Sequence, residues 1–319
     1  MTEAESRKDV PESTIEIRGL RKKFGKKIAV DELTLDVPKG SIFGFIGPNG
    51  AGKTTTIRIL ATLNKPSAGS AKICGCDVVY DPVAAKRCIG YMPDEFGVYE
   101  EMSLHEYLEF FAAAQRIPRG EREGRIRAVL ELTDLGPKKD ERVASFSKGL
   151  RQRACLAKTL IHDPEVLILD EPASALDPRA RIEFRELLRE LRSMGKTIFL
   201  SSHNLIELSE LCDHVAILEA GKLVASGAVD ELVKKETRRR FLLRCVDEED
   251  AKRLRSKLSE SQVHEFEGRI ARFELEGDDA EVFEALQNFA AAGVRFVEFR
   301  EDSDSLESAF LALTKGDLG

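Results

Sequence analysis

One short stretch limits what this chain can fold into more than any other. Gly47-Pro48-Asn49-Gly50-Ala51-Gly52-Lys53-Thr54 completes the phosphate-loop pattern G-x-x-x-x-G-K-[ST]. The residues before it, Ile42-Phe43-Gly44-Phe45-Ile46, are apolar and bulky, as a buried parallel strand requires. The residues after it, Thr55 to Leu63, place Ile57, Leu60 and Ala61 at helical spacing. Strand, glycine loop and helix is the context in which such a loop binds phosphate. Its glycines let successive backbone N–H groups turn inward toward phosphate oxygens. The following helix adds free N–H groups and a partial positive charge. Lys53 is placed to reach the β- and γ-phosphates and Thr54 to offer its hydroxyl to Mg²⁺. The chain is expected to bind a nucleoside triphosphate.

Further along, Val166-Leu167-Ile168-Leu169 ends in Asp170-Glu171, an apolar strand closed by two acids. A buried strand can hold Asp170 rigidly at the carboxyl edge of the sheet, beside the phosphate loop, where it joins the Mg²⁺ shell. Glu171, one residue on, faces another way and can polarise the water that attacks the γ-phosphate. Thr197-Ile198-Phe199-Leu200-Ser201-Ser202-His203 is a further buried strand. Its terminal His203 is either structural or within reach of the same phosphate. Ser147 stands where a helix N-cap would stand, and Gly149, two residues on, suits close approach to phosphate. Phe24, beside Gly25 and several lysines, is either a core residue or a platform for a purine ring.

The length, 319 residues, suits about two or three domains. Hydrophobic residues make up 42% and charged residues 33%, the balance of a globular protein with a core. No run approaches the roughly 18 apolar residues of a membrane span. Met1 to Glu12 is polar, without the apolar core of a signal peptide, so a cytoplasmic location is expected. Glu236 to Gly319 carries 13 Lys and Arg against 20 Asp and Glu, a net of −7, which leaves the preceding residues at zero. A neutral body with an acidic tail argues against a nucleic-acid binder, which would present a basic face. Arg238-Arg239-Arg240 reads as a solvated linker. Of the six cysteines only Cys74 and Cys76 are close, and one intervening residue is not a usual zinc spacing, so reduced buried thiols are expected.

Two early strands, Thr14–Leu20 and Leu33–Val37, are expected to join the strand before the phosphate loop in a small antiparallel sheet. Cys88–Met92 reads as a short strand. Ser103-Leu104-His105-Glu106 has the pattern of a capping box, and helices from there to Leu135 form an insertion without strands. A helix is expected over 179–194 and a hairpin over Val215–Leu218 and Lys222–Gly227. Beyond Thr237 the pattern is β-α-β-β-α-β, the ferredoxin-like order, followed by a helix over 305–313.

Taken in order, these motifs resemble the nucleotide-binding subunits of ATP-binding cassette (ABC) transporters, from about Thr14 to Lys235, and among them the ATPases of ABC-2 type exporters. Phe24 matches the A-loop aromatic, Gly47–Thr54 Walker A, Asp94 the Q-loop, Phe146-Ser147-Lys148-Gly149-Leu150 the signature, Asp170-Glu171 Walker B, Asp177 the D-loop and His203 the switch histidine. The resemblance implies an α/β fold: a P-loop NTPase (RecA-like) core with an N-terminal antiparallel β subdomain and a helical insertion over about 95–165. The domains would be an ATP-binding domain, 14–235, and an accessory C-terminal α+β (ferredoxin-like) domain, 237–319. It implies ATP and Mg²⁺ as cofactors. Phe24, Gly47, Pro48, Asn49, Gly50, Ala51, Gly52, Lys53, Thr54 and Thr55 would hold the nucleotide, with Ser147, Gly149 and Asp177 completing the site. Thr54, Asp94 and Asp170 would hold the metal. Lys53, Asp94, Glu171 and His203 would be catalytic. It further implies a homodimer closing on ATP, a separate integral membrane permease that the dimer moves, and a position on the cytoplasmic face through that partner.

Three departures mark this chain. The family's Q-loop glutamine is Asp94, which can ligate Mg²⁺ but cannot donate an amide N–H. The signature Leu-Ser-Gly-Gly-Gln reads Phe-Ser-Lys-Gly-Leu here, keeping Ser147 and Gly149. The A-loop has Phe24 where Tyr is commoner. A second reading is an ABC ATPase that acts on ribosomes or nucleic acid without a membrane partner. Such chains carry two cassettes or a long coiled coil, and this one shows a single cassette and no heptads. A GTPase is disfavoured because Asn64-Lys65-Pro66 is followed by Ser67, not the Asp that reads guanine.

Overall fold

The structure, a computed structural model, describes residues 13–94, 97, 99, 101–174, 176–234, 238–259 and 262–301. The chain divides into two compact units, Met1–Ala228 and Val229–Gly319. The helix expected over 305–313 and the expected boundary at 235–237 lie outside the described residues.

The first unit opens with two long strands, β1 (Ser13–Phe24) and β2 (Lys27–Pro38), paired antiparallel. In both, residues that face the core alternate with exposed ones, as a half-buried sheet demands. The strand that leads into the phosphate loop, β3 (Ile42–Ile46), is buried at every position. It does not join β1 and β2, contrary to expectation. The phosphate loop then leads into α1 (Lys53–Leu60). Next come β4 (Ala68–Ile73), β5 (Cys76–Asp77), α2 (Pro82–Cys88) and β6 (Ile89–Met92). The antiparallel sheet has the order β2-β1-β4-β5, so its inner partner is β4.

Three helices follow without a strand between them: α3 (Leu104–Ala114), α4 (Arg119–Leu132) and α5 (Lys148–Leu160). Ser103 caps α3 in a reciprocal box with Glu106. The chain then alternates through β7 (Val166–Leu169), α6 (Pro178–Ser193), β8 (Thr197–Ser202), α7 (Leu205–Leu211), β9 (His214–Glu219) and β10 (Lys222–Ala228). Strands β10-β9-β3-β8-β7-β6 form a second sheet, parallel throughout except for the β9–β10 hairpin. The reason β3 belongs here is its composition. A strand that is apolar on both faces needs cover on both, which a parallel sheet between helices supplies and a half-exposed antiparallel sheet does not.

This topology places the carboxyl ends of β3, β7 and β8 side by side, since β8 pairs with both β3 and β7 in register (Ile46 beside Ser202, Leu169 beside Leu200). The phosphate loop, Asp170-Glu171 and His203 therefore leave the same edge of one sheet, the edge where open parallel sheets bind ligands. One continuous apolar core joins the two sheets, including Ile15, Val30, Phe45, Ile57, Ile168 and Phe199. The β9–β10 turn braces the loop: Gly221 N–H donates to Ala51 C=O and Asp31 N–H donates to Gly221 C=O.

The second unit begins with α8 (Val229–Lys234). It continues through β11 (Arg238–Cys245), α9 (Glu248–Arg255), β12 (Val263–Glu267), β13 (Ile270–Glu276), α10 (Asp279–Ala291) and β14 (Phe296–Glu301). Its sheet is antiparallel in the order β12-β13-β11-β14. A separate core gathers Phe241, Leu243, Leu254, Phe273, Val282 and Phe289. Asp247 and Asp278 cap α9 and α10.

Candidate functional site

At the β3–α1 junction two glycines are needed for stated reasons. A Cβ on Gly47 would sit 2.5 Å from the Leu218 carbonyl oxygen. Gly52 adopts φ 106°, and a Cβ there would meet the Ala29 carbonyl at 2.5 Å. Gly52 is also the N-cap of α1, and no side chain caps that end. First-turn N–H groups of α1 thus point into the loop as donors for an anion.

Lys53 is almost buried, and its ammonium donates to Gly47 C=O at 2.6 Å and lies 3.4 Å from a Glu171 carboxylate oxygen. Behind it stands a second cluster. Asp170 Oδ1 accepts from Ser201 Oγ at 2.7 Å and from Thr54 Oγ1 at 3.3 Å. Ser201 Oγ in turn accepts from the Glu171 backbone N–H at 3.0 Å. Burial is the main cause that pushes the Asp170 carboxyl up from its ordinary value; the Ser201 and Thr54 hydrogen bonds oppose this, while the negative charges of Asp94 and Glu171 add to it. Glu171 has φ +47°, a left-handed backbone that is unusual for a non-glycine residue. Its carboxylate meets His203 Nδ1 at 2.9 Å. Asp94 Oδ1 accepts from Ser174 Oγ at 3.4 Å.

A cavity of about 300 Å³ runs along this edge, lined by phosphate-loop residues Pro48 to Gly50 and Gly52 to Thr55, by Asp94 and Glu171, and by Phe24 and Lys27. Phe24 is 51% exposed at the end of β1, so it is a cavity wall and not a core residue. The ammonium of Lys22 stands 4.9 Å from its ring centre. Ser147, Gly149, Asp177 and His203 do not line this cavity. Ser147 is exposed and caps α5, accepting from Leu150 N–H at 3.3 Å. A Cβ on Gly149 would lie 3.5 Å from Ala180 and 3.8 Å from Leu176. Asp177 caps α6, accepting from Ala180 N–H at 2.9 Å. The signature residues and Asp177 therefore share one patch of the first unit.

The oxygen donors around Asp170 fit a hard cation: a buried carboxylate, the Thr54 hydroxyl and the neighbouring Asp94 carboxylate. Ser201, Ser174 and Lys27 escaped the sequence reading. For Ser201 a signal existed, because a hydroxyl in a wholly buried strand needs a buried partner.

A family model described as ABC transporter matches residues 30–174. The chain is 37% identical over 222 residues to the Nod factor export ATP-binding protein I of Ralstonia nicotianae, covering 70% of this chain and 69% of that one. It is 40% identical over 228 residues to a daunorubicin resistance ATP-binding protein of Streptomyces coeruleorubidus, covering 71% of each. Among solved structures, an ATP-binding subunit of an ABC transporter superposes with TM-score 0.64 at 30% identity, over 70% of this chain and 93% of that one. This chain belongs to the ATP-binding subunits of ABC transporters. As an ABC ATPase it binds nucleotide and energises a membrane transporter. No helix among the described residues is long and apolar enough to cross a membrane.

Proposed function

We propose that this ABC ATPase works as a homodimer with ATP and Mg²⁺ shared between protomers, and that the cycle drives an exporter of the ABC-2 type. The observation that carries the dimer is the division of the site. The cavity holds the phosphate loop, Asp94 and Glu171, while Ser147 and Gly149 stand on an exposed helix start that does not line it. A second copy brings that helix start, with its free N–H groups, to the γ-phosphate. Phe24 stacks on the adenine, and Gly47 to Thr55 hold the phosphates. Lys53 gives up its Gly47 contact for the β- and γ-oxygens. Thr54, Asp94 and Asp170 would hold Mg²⁺, which would supply positive charge to the transferring phosphoryl group. Glu171 orients and polarises the attacking water, and His203 steadies the carboxylate and reaches the γ-phosphate. Asp177 links the paired sites. The relatives named for Nod factor export and daunorubicin resistance support the exporter reading. The location that follows is the cytoplasmic face of the membrane, on a permease partner.

The division into 14–235 and 237–319 is supported by the span of the motifs and by β11 opening a separate sheet. The β-α-β-β-α-β sequence with strand order 2-3-1-4 supports a ferredoxin-like second domain.

Mixing tests the reading. Glu171→Gln should retain ATP affinity and lose at least about 100-fold in turnover. A mixture of Lys53→Ala and Ser147→Ala chains should recover part of the activity that each lacks alone, because one composite site in the mixed dimer is intact. No recovery at any ratio overturns the trans arrangement.

A further inference from the structure

Away from the nucleotide cavity, the fold gathers thiols that the sequence keeps apart. Cys74 lies in the turn between β4 and β5, Cys88 ends α2, and Glu165 directly precedes β7. One ligand atom of each lies within 4.8 Å of the other two, and Cys74 Sγ is 3.9 Å from Glu165 Oε2. Cys76 adds a third sulfur at the rim, with Sγ 3.8 Å from the Cys74 carbonyl oxygen. We infer that Cys74, Cys88 and Glu165 form a binding site for one soft divalent metal ion of the zinc class.

Geometry comes first. Zinc bonds of about 2.3 Å to sulfur and about 2.1 Å to oxygen at a tetrahedral angle separate S and O by about 3.6 Å. The observed 3.9 Å falls a few tenths of an ångström from that spacing. Backbone conformation points the same way. Cys74 has φ +49° and Gly75 φ +77°, the two left-handed positions of a tight hairpin turn. Asn, Asp or Gly suits the first of these positions, and Cys does not, so the thiol is presented there at a conformational cost. Charge adds to this: the Glu165 carboxylate faces both thiols, and a dication bound there would release the two thiol protons to solvent. Two sulfurs and a carboxylate select zinc-like ions over Mg²⁺. Glu165 is exposed and offers the entry path. The ion would staple the hairpin tip and α2 to the strand that carries Asp170.

Cobalt is the probe. The full-length chain, reduced and free of metal and nucleotide, is titrated with Co²⁺ in excess Mg²⁺. One Co²⁺ per chain is expected, with a thiolate-to-metal absorption band that Zn²⁺ abolishes, and with two protons released. Cys74→Ser or Cys88→Ser should weaken binding by more than about 100-fold, while Cys245→Ser, in the second unit, leaves it unchanged. Glu165→Gln keeps both thiols, so it should keep the band but bind more weakly. Zn²⁺ should raise the melting temperature of the wild-type chain and not of the Cys74→Ser/Cys88→Ser chain. Absence of the band, equal Co²⁺ binding by that double variant, or a Cys74–Cys88 disulfide as the only chemistry detected each overturns the site.

Discussion

Asp170 and Ser201 show how one residue pair sets the catalytic edge. Asp170 is buried and its carboxyl is raised, so in the metal-free chain folding disfavours the charged form relative to the unfolded chain. The sign follows: the charged carboxylate costs stability above the carboxylate range, and the metal-free chain gains stability as pH falls through it. Asp170→Asn keeps an oxygen for Ser201 and Thr54 but removes the charge. That variant is expected to melt higher than wild type without Mg²⁺ at neutral pH, while Mg²⁺-dependent turnover falls at least ~100-fold; calorimetry and phosphate release check the two halves. Ser201 is different, because it does not itself line the cavity yet joins Asp170 to the Glu171 backbone. Ser201→Ala leaves the Glu171 N–H without its acceptor, at a cost of about 1–3 kcal/mol. Turnover should drop ~10–100-fold with the ATP dissociation constant nearly unchanged, since the hydroxyl positions the base and not the nucleotide. A large loss of ATP affinity would instead make Ser201 part of the binding surface.

At the scale of elements, α5 combines a structural and a functional demand at one residue. Ser147 is its N-cap, and the same hydroxyl is the proposed γ-phosphate contact. Ser147→Asp separates them. Aspartate caps a helix as well as serine does, so the unfolding free energy should stay within about 1 kcal/mol of wild type. Its charge would face the phosphate, so ATP-driven dimerisation and turnover should fall together. Loss of stability with activity retained would leave Ser147 a cap alone. The elements themselves were legible where period and caps agreed: β3, β7 and β8 as apolar runs, α3 by its Ser103–Glu106 box, α6 after Asp177-Pro178. The residues of β4, Ala68-Gly69-Ser70, carry no such contrast, because tertiary pairing with β1 decides them, whereas α2 does carry a cap signal, Asp81-Pro82, which the expectation of a strand over Cys88–Met92 left unused. The partners of β3 were not legible for a related reason. They are β8 and β9, and adjacency in sequence pointed to β1 and β2 instead. The site was readable motif by motif, but the hydrogen bonds among its members depend on which strands lie side by side.

The whole molecule poses a question of charge and independence. A solved ABC subunit is matched over 93% of its own length by 70% of this chain, so a cassette without a further unit is a complete fold. Here the division of contacts and the two separate cores agree with that. The second unit holds the net charge: residues 236–319 carry −7, and the rest sum to zero. A chain ending at Ala228 should therefore fold, bind ATP with affinity within about threefold of the full chain, and melt in one transition. Its behaviour in solution should change more than its binding. The full chain has an isoelectric point near 5.5 and is well charged at neutral pH. Without its acidic unit the cassette approaches zero charge there, where self-repulsion no longer opposes association. Light scattering at neutral pH and low salt should show nucleotide-independent association of the short chain and not of the full one. Association that appears only with ATP, at equal strength in both chains, would mean that the acidic unit does not govern when the cassettes meet.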